Sequence, residues 1–136
     1  MPPTRLDLPT WGQRLTPATV RNTLEALGMW QNPVPQPPSG HLTQVRTALE
    51  KHGWTRSLDI SPTGRMCIRG AQTMLQRAGH VTPAARHRAV HYLQASLREW
   101  GVDMQFFSWN DLPDQTFECV SNRLDRAIHL ARSNGE

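Results

Sequence analysis

Only two cysteines, Cys67 and Cys119, occur in the 136 residues, far apart and outside any CxxC pair. Their scarcity excludes a disulfide framework and a cysteine-based zinc site, and leaves a reducing cytoplasm as the expected compartment. Lysine is almost absent: Lys51 stands alone against fourteen arginines. No stretch approaches the roughly 18 apolar residues needed to cross a bilayer, and the opening MPPTRLDLPT has no apolar core of the signal-peptide kind. The expectation is a cytoplasmic protein with no membrane partner, no cofactor and no metal. Apolar residues make up 38% and charged residues 19%, both low for a globular chain, while eleven prolines and nine glycines populate loops.

What is present reads as one domain of ordinary size with a loose N-terminal end. The net charge of +4 is carried by guanidinium groups, which suit phosphate and carboxylate. A GC-rich genome also favours arginine codons over lysine codons, so the composition points to nucleic acid only if the arginines cluster.

Thr16-Pro17 opens a helix as a hydroxyl cap followed by proline, and Val20, Leu24 and Leu27 give it an apolar face that Gly28 ends. Gln31 to Gly40, with four prolines in ten residues, cannot continue that helix and reads as an extended linker. The chain thus divides into an arm over residues 1–30, a Pro-rich linker over 31–40 and a main helical domain over 41–136. Leu42, Val45, Ala48 and Leu49 share one helix face that Lys51-His52-Gly53 terminates. Leu58/Ile60 and Met66/Ile68 alternate around Ser61-Pro62-Thr63-Gly64, a type I turn signal that predicts a small β-hairpin.

Further along, Ala71, Leu75 and Ala78 form a helix face ending at Gly79. Thr82-Pro83 starts a longer helix with Val90, Leu93, Leu97 and Trp100 along its stripe. After a loop, VDMQFFSWNDLPDQ, that Trp109 anchors to the core, Thr116 caps a last helix that turns Phe117, Val120, Leu124, Ala127, Ile128 and Ala131 inward. The predicted fold is mainly α with a minor β part: about five helices and one short hairpin.

Three blocks then stand out: Gly53-Trp54; Gly64-Arg65, Cys67 and Gly70-Ala71; and Trp109-Asn110-Asp111 with Thr116 and Glu118. In order and spacing, residues 42–131 resemble an uncharacterised family of small proteins from actinobacteria and their phages, a domain of unknown function. The resemblance does not reach the first forty residues, and Cys119 departs from the second acidic residue expected after Thr-x-Glu. It implies a shared small fold in a phage, mobile-element or accessory setting, and it implies no activity.

The sharpest enzymatic reading makes Cys67 a thiolate at a helix N-terminus, with His87 as base and Asp111 to orient it. His80, His91 and His129 are alternative bases, and none belongs to a block of the resembled family, so the base is the missing part. The competing reading buries Cys67 as a small side chain where hairpin meets helix. His87 and His91 stand one helical turn apart, but Arg88 replaces the glutamate of HExxH, which argues against a metal. Trp54, Trp109, Asn110 and Asp111 are candidates to line a polar ligand site, and Arg65 and Arg69 to join Arg77, Arg86, Arg88 and Arg98 in a basic patch. The helix pair around Gly79 to Thr82 is a weak match to a helix-turn-helix, because its second helix is long and opens on Pro-Ala-Ala. The favoured expectation is a non-enzymatic interaction module for a protein or nucleic-acid partner. Its arm offers Trp11, Met29 and Trp30 for docking or self-association. The alternative is a small thiol-dependent hydrolase or transferase.

Overall fold

The computed structural model describes residues 33–136. The expected arm helix, with Trp11, Met29 and Trp30, lies outside the described residues. Five helices follow in order: α1 Pro38–His52, α2 Ile68–Arg77, α3 Pro83–Glu99, α4 Phe106–Asn110 and α5 Phe117–Ser133. The mainly α expectation therefore holds.

α1, α3 and α5 pack each against the other two and make the centre of the bundle, with α2 laid on α1 and α4 bridging α2 and α3. The reason lies in the apolar positions, spaced three and four apart so that each helix turns one stripe inward. Leu42, Val45, Ala48 and Leu49 of α1, Leu93 and Leu97 of α3, and Val120, Leu124, Ala127 and Ala131 of α5 are all buried in one core. Side-chain caps set where helices begin. Thr82 Oγ1 accepts from Ala85 N at 3.1 Å with Pro83 in the first turn, and Thr116 Oγ1 accepts from Cys119 N at 3.2 Å.

α1 starts at Pro38, inside the stretch read as a linker. Pro37 occupies the cap position and Pro38 the first turn, where a missing N–H costs nothing. The preceding backbone is also tied down: Gln36 N donates to the His80 carbonyl at 2.9 Å. Ser39 N and Ser39 Oγ both donate to the Glu136 carbonyl, at 3.1 and 2.9 Å. Glu136 in turn pairs with Arg88 and accepts from the Tyr92 hydroxyl, so one residue ties α1, α3 and the end of α5 together.

Three expectations need correction. The turn at Ser61–Gly64 forms, with Gly64 N donating to Ser61 O at 2.9 Å, but the hairpin reduces to isolated bridges of Met66 with Ile60 and Trp54. Only Arg65 and Met66 separate the turn from Cys67, which already caps α2, so no ladder has room to grow. Trp100 is not in the core stripe: it caps the C-terminus of α3 and is 63% exposed. Finally, 102–115 is not all loop, because α4 places Phe106 and Trp109 in the core.

One polar pair sits inside this apolar interior. His41 and Gln72 are fully buried between α1 and α2, and the Gln72 amide donates to His41 Nε2 at 3.2 Å. Burial, and then the nearby Arg86 charge, pushes the His41 pKa down to about 3. The unfolded chain therefore takes up a proton near pH 6.5 that the folded chain refuses, so this linkage costs nothing above pH 6.5 and penalises folding as pH falls toward 3. Burial lowers His52 as well, so its effect has the same sign. Urea denaturation from pH 7 to pH 5 should show stability falling with acid, with a limiting slope of about 1.4 kcal/mol per pH unit from His41. A His41→Met variant should lose that component, and a slope unchanged in the variant would refute the assignment.

Candidate functional site

The residues singled out in the sequence meet on the loop between α1 and α2 and the end of α4. Asn110, buried, accepts the Trp54 indole N–H at 2.8 Å and donates through its amide to the Thr55 carbonyl at 3.3 Å and to Asp111 Oδ1 at 3.0 Å. Asp111 Oδ1 also accepts from Ser57 N at 2.8 Å, and Ser57 is a non-glycine residue at φ 68°. The left-handed region is uncommon for serine, and the carboxylate that fixes its amide helps to hold it there. Arg56 completes the tie by donating to the carbonyls of Leu112 and Pro113. Trp54, Asn110 and Asp111 do come together, then, but the indole N–H, the Asn110 amide and Asp111 Oδ1 are spent on one another and on backbone.

Cys67 stands at the N-cap of α2. Its sulfur accepts from Gly70 N at 3.3 Å and lies 3.6 Å from Asp59 Oδ1. Burial pushes the thiol up to about 11; the Gly70 and Arg69 amides pull the other way, and the Asp59 carboxylate raises it further. The helix terminus does favour the thiolate, as the sequence suggests, yet desolvation outweighs it. At neutral pH the sulfur is protonated, the opposite of an activated nucleophile. The groups acting on it are Asp59, Arg69 and Gly70, while Asp111 is bonded to Ser57 and Asn110, and His87 lines a cleft with Tyr92 and Asn134. Gly70 is needed for the same junction: a Cβ there would stand 1.8 Å from the Asp59 carbonyl oxygen.

A family model matches residues 33–130, which takes in every part of this junction and all five helices but the last three residues of α5. The chain belongs to DUF6197, a family of unknown function. Searches of curated proteins and of solved structures returned no match.

The charged surface of the DUF6197 domain is uneven. On α2, Arg69, Thr73 and Arg77 recur every four residues and so share a side of the helix. Arg86 reaches across from α3 and donates to Thr73 Oγ1 and Gln76 Oε1, each at 3.2 Å. Burial lowers the Arg86 pKa, Asp59 opposes this, and the Arg69 and Arg77 charges lower it again. Arg69 lies 3.5 Å from Asp59 and stacks at 4.9 Å over the Phe107 ring. Arg69, Arg77 and Arg86 thus lie within reach of one another's charge, whereas Arg88, expected in the same patch, is turned to Glu136. Arg65 lies against Gly53, where an added Cβ would meet its Cγ at 2.8 Å. Sequence reasoning missed Asp59 and Thr73, and the i, i+4 spacing of Thr73 with Arg69 and Arg77 was the available signal.

His87 and His91 line a separate cleft of about 610 Å³ with Tyr92, Leu130 and Asn134. Among the described residues no group of three or more His, Cys, Asp or Glu side chains gathers to hold a metal, and no helix is long and apolar enough to cross a membrane.

Two measurements check the Cys67 junction. Iodoacetamide at pH 7 to 8 should label exposed Cys119 in the folded protein and reach Cys67 only on unfolding; fast labelling of Cys67 in a Cys119→Ala background would restore the thiol reading. Gly70→Ala should cost about 2–3 kcal/mol and lower the melting temperature by on the order of 10 °C in calorimetry.

Proposed function

We propose that this DUF6197 domain is a non-enzymatic module that binds nucleic acid through its phosphate backbone, using Arg69, Arg77 and Arg86. The observation that carries the reading is how Arg86 is held. Its guanidinium is half-buried and braced by a hydroxyl and an amide, both neutral, while two further arginines raise the local positive potential and Asp59 opposes them. Arginine stays ionised in such a setting, so the charge is offered outward rather than cancelled. A planar fork with spare donors matches phosphate oxygens, and Thr73 adds a hydroxyl on the same side.

The state of the other candidates favours binding over turnover. Cys67 is protonated and buried, and Asn110 and Asp111 hold a loop. The geometry of Arg69, Arg77 and Arg86 carries no base-reading pattern, so the expected binding is sequence-tolerant and salt-dependent.

Fluorescence anisotropy with labelled oligonucleotides across a salt series tests this. Wild-type protein should bind with log K falling linearly in log salt. Arg77→Ala and the double variant Arg69→Ala/Arg77→Ala should weaken binding and reduce the slope by about 0.7–0.9 per lost phosphate contact. Absence of binding at low salt, or equal competition by polyglutamate, would reject nucleic acid as the partner.

A further inference from the structure

The loop between α1 and α2 lays one carboxylate against the arginine cluster. Asp59 Oδ1 lies 3.5 Å from Arg69 Nε, and both side chains are about half exposed, so the pair contributes little to stability. Asp59 is nevertheless held closely. Its carbonyl accepts from Cys67 N at 3.4 Å, a Cβ on Gly70 would stand 1.8 Å from that same oxygen, and the Cys67 thiol donates to Asp59 Oδ1 at 3.6 Å. The backbone is thus pinned to the first turn of α2, and the carboxylate cannot retreat far from Arg69.

The charges around this carboxylate are unequal. Burial lowers the Arg86 pKa, Asp59 raises it, and Arg69 and Arg77 lower it again, so the field of Asp59 reaches beyond its partner. Within the cluster one carboxylate faces three guanidinium groups drawn from two helices. The other charged side chains of the same loop are turned elsewhere: Arg56 donates to the Leu112 and Pro113 carbonyls, and Arg65 lies against Gly53. Asp111, at the end of α4, accepts from Ser57 N and the Asn110 amide. To a guanidinium, a carboxylate and a phosphate are the same kind of acceptor, and Asp59 occupies the place of one beside Arg69.

We infer that Asp59 is an internal competitor for phosphate at Arg69, holding the guanidinium in the unbound protein and yielding it when a nucleic-acid strand binds. The inference rests on the phosphate-binding reading above and adds what restrains that site. A carboxylate tethered next to its cation competes at an effective concentration on the order of millimolar or above. A strand already in contact with Arg77 and Arg86 presents its next phosphate to Arg69 from an equally short tether, and so can displace it. The displaced carboxylate then stands beside the phosphate and repels it. Asp59 therefore keeps binding weaker and more readily reversed than the three arginines alone would make it, for every base sequence alike.

A double-mutant cycle on the full chain, read as anisotropy of a labelled oligothymidylate, tests this. Asp59→Asn removes the charge and leaves the backbone in place, and should tighten binding about threefold to fivefold at low salt. That gain should shrink as salt rises, because screening weakens both the pairing with Arg69 and the repulsion of the phosphate. In an Arg69→Ala background most of the gain should vanish, since the carboxylate then has no cation to withhold. Asp59→Ser should reproduce the gain, and melting curves of the Asp59 variants should stay within about 2 °C of wild type, which separates these outcomes from loss of fold. If Asp59→Asn leaves binding unchanged or weakens it while Arg77→Ala still weakens it, the competitor is overturned and the phosphate reading stands. A gain of the same size in the Arg69→Ala background also overturns it. If neither wild type nor Asp59→Asn binds the strand, both readings fail.

Discussion

The hydrogen bond from the Trp54 indole to the buried Asn110 side chain ties together two stretches of chain that share no secondary structure. Everything between α1 and α2 hangs from it. Asn110 uses its amide on Thr55 and on Asp111, Asp111 fixes Ser57, and the loop so anchored delivers the Asp59 carbonyl against Gly70. A buried polar group must find partners or cost free energy comparable to a lost hydrogen bond, so Asn110 tolerates few loop conformations. Asp59 and Arg69 then lie beside each other because α2 begins where it does.

The distribution of charge follows from the same packing. Arg46 pairs with Asp125, Arg126 with Glu99 and Arg88 with Glu136, all across the faces of α1, α3 and α5. Exposed pairs of this kind contribute little to stability. Their larger effect is on the surface field: they draw acidic side chains to the helices of the central bundle, and the side of α2 facing Arg86 is left rich in guanidinium. Composition alone does not bring Arg69, Arg77 and Arg86 together from two helices.

The long helices were legible because their signals are local. Thr82-Pro83 and Thr116 are caps whose partners lie three residues on, and the stripes of Leu93/Leu97 and Val120/Leu124/Ala127 repeat at the helical period. The hairpin was misread because period-two alternation says nothing of how many residues remain before the next cap. α4 was missed because five residues are too few to show a period. Trp100 looked like core by continuing the spacing of Leu93 and Leu97, yet the helix ends at Glu99 and the indole has left the stripe.

By itself the sequence determined the helical class, the caps, most of the core and the excess of arginine, all properties of residues near one another in the chain. Which polar groups are spent and which remain on offer was decided only by tertiary structure. Cys67 has the helix terminus that activation requires, and burial raised its pKa regardless. Asn110 and Asp111 have the chemistry of a site, and Trp54, Thr55 and Ser57 claimed it from 54 to 56 residues away. Desolvation and long-range hydrogen bonding depend on what folds over a residue, and no spacing along the chain records that.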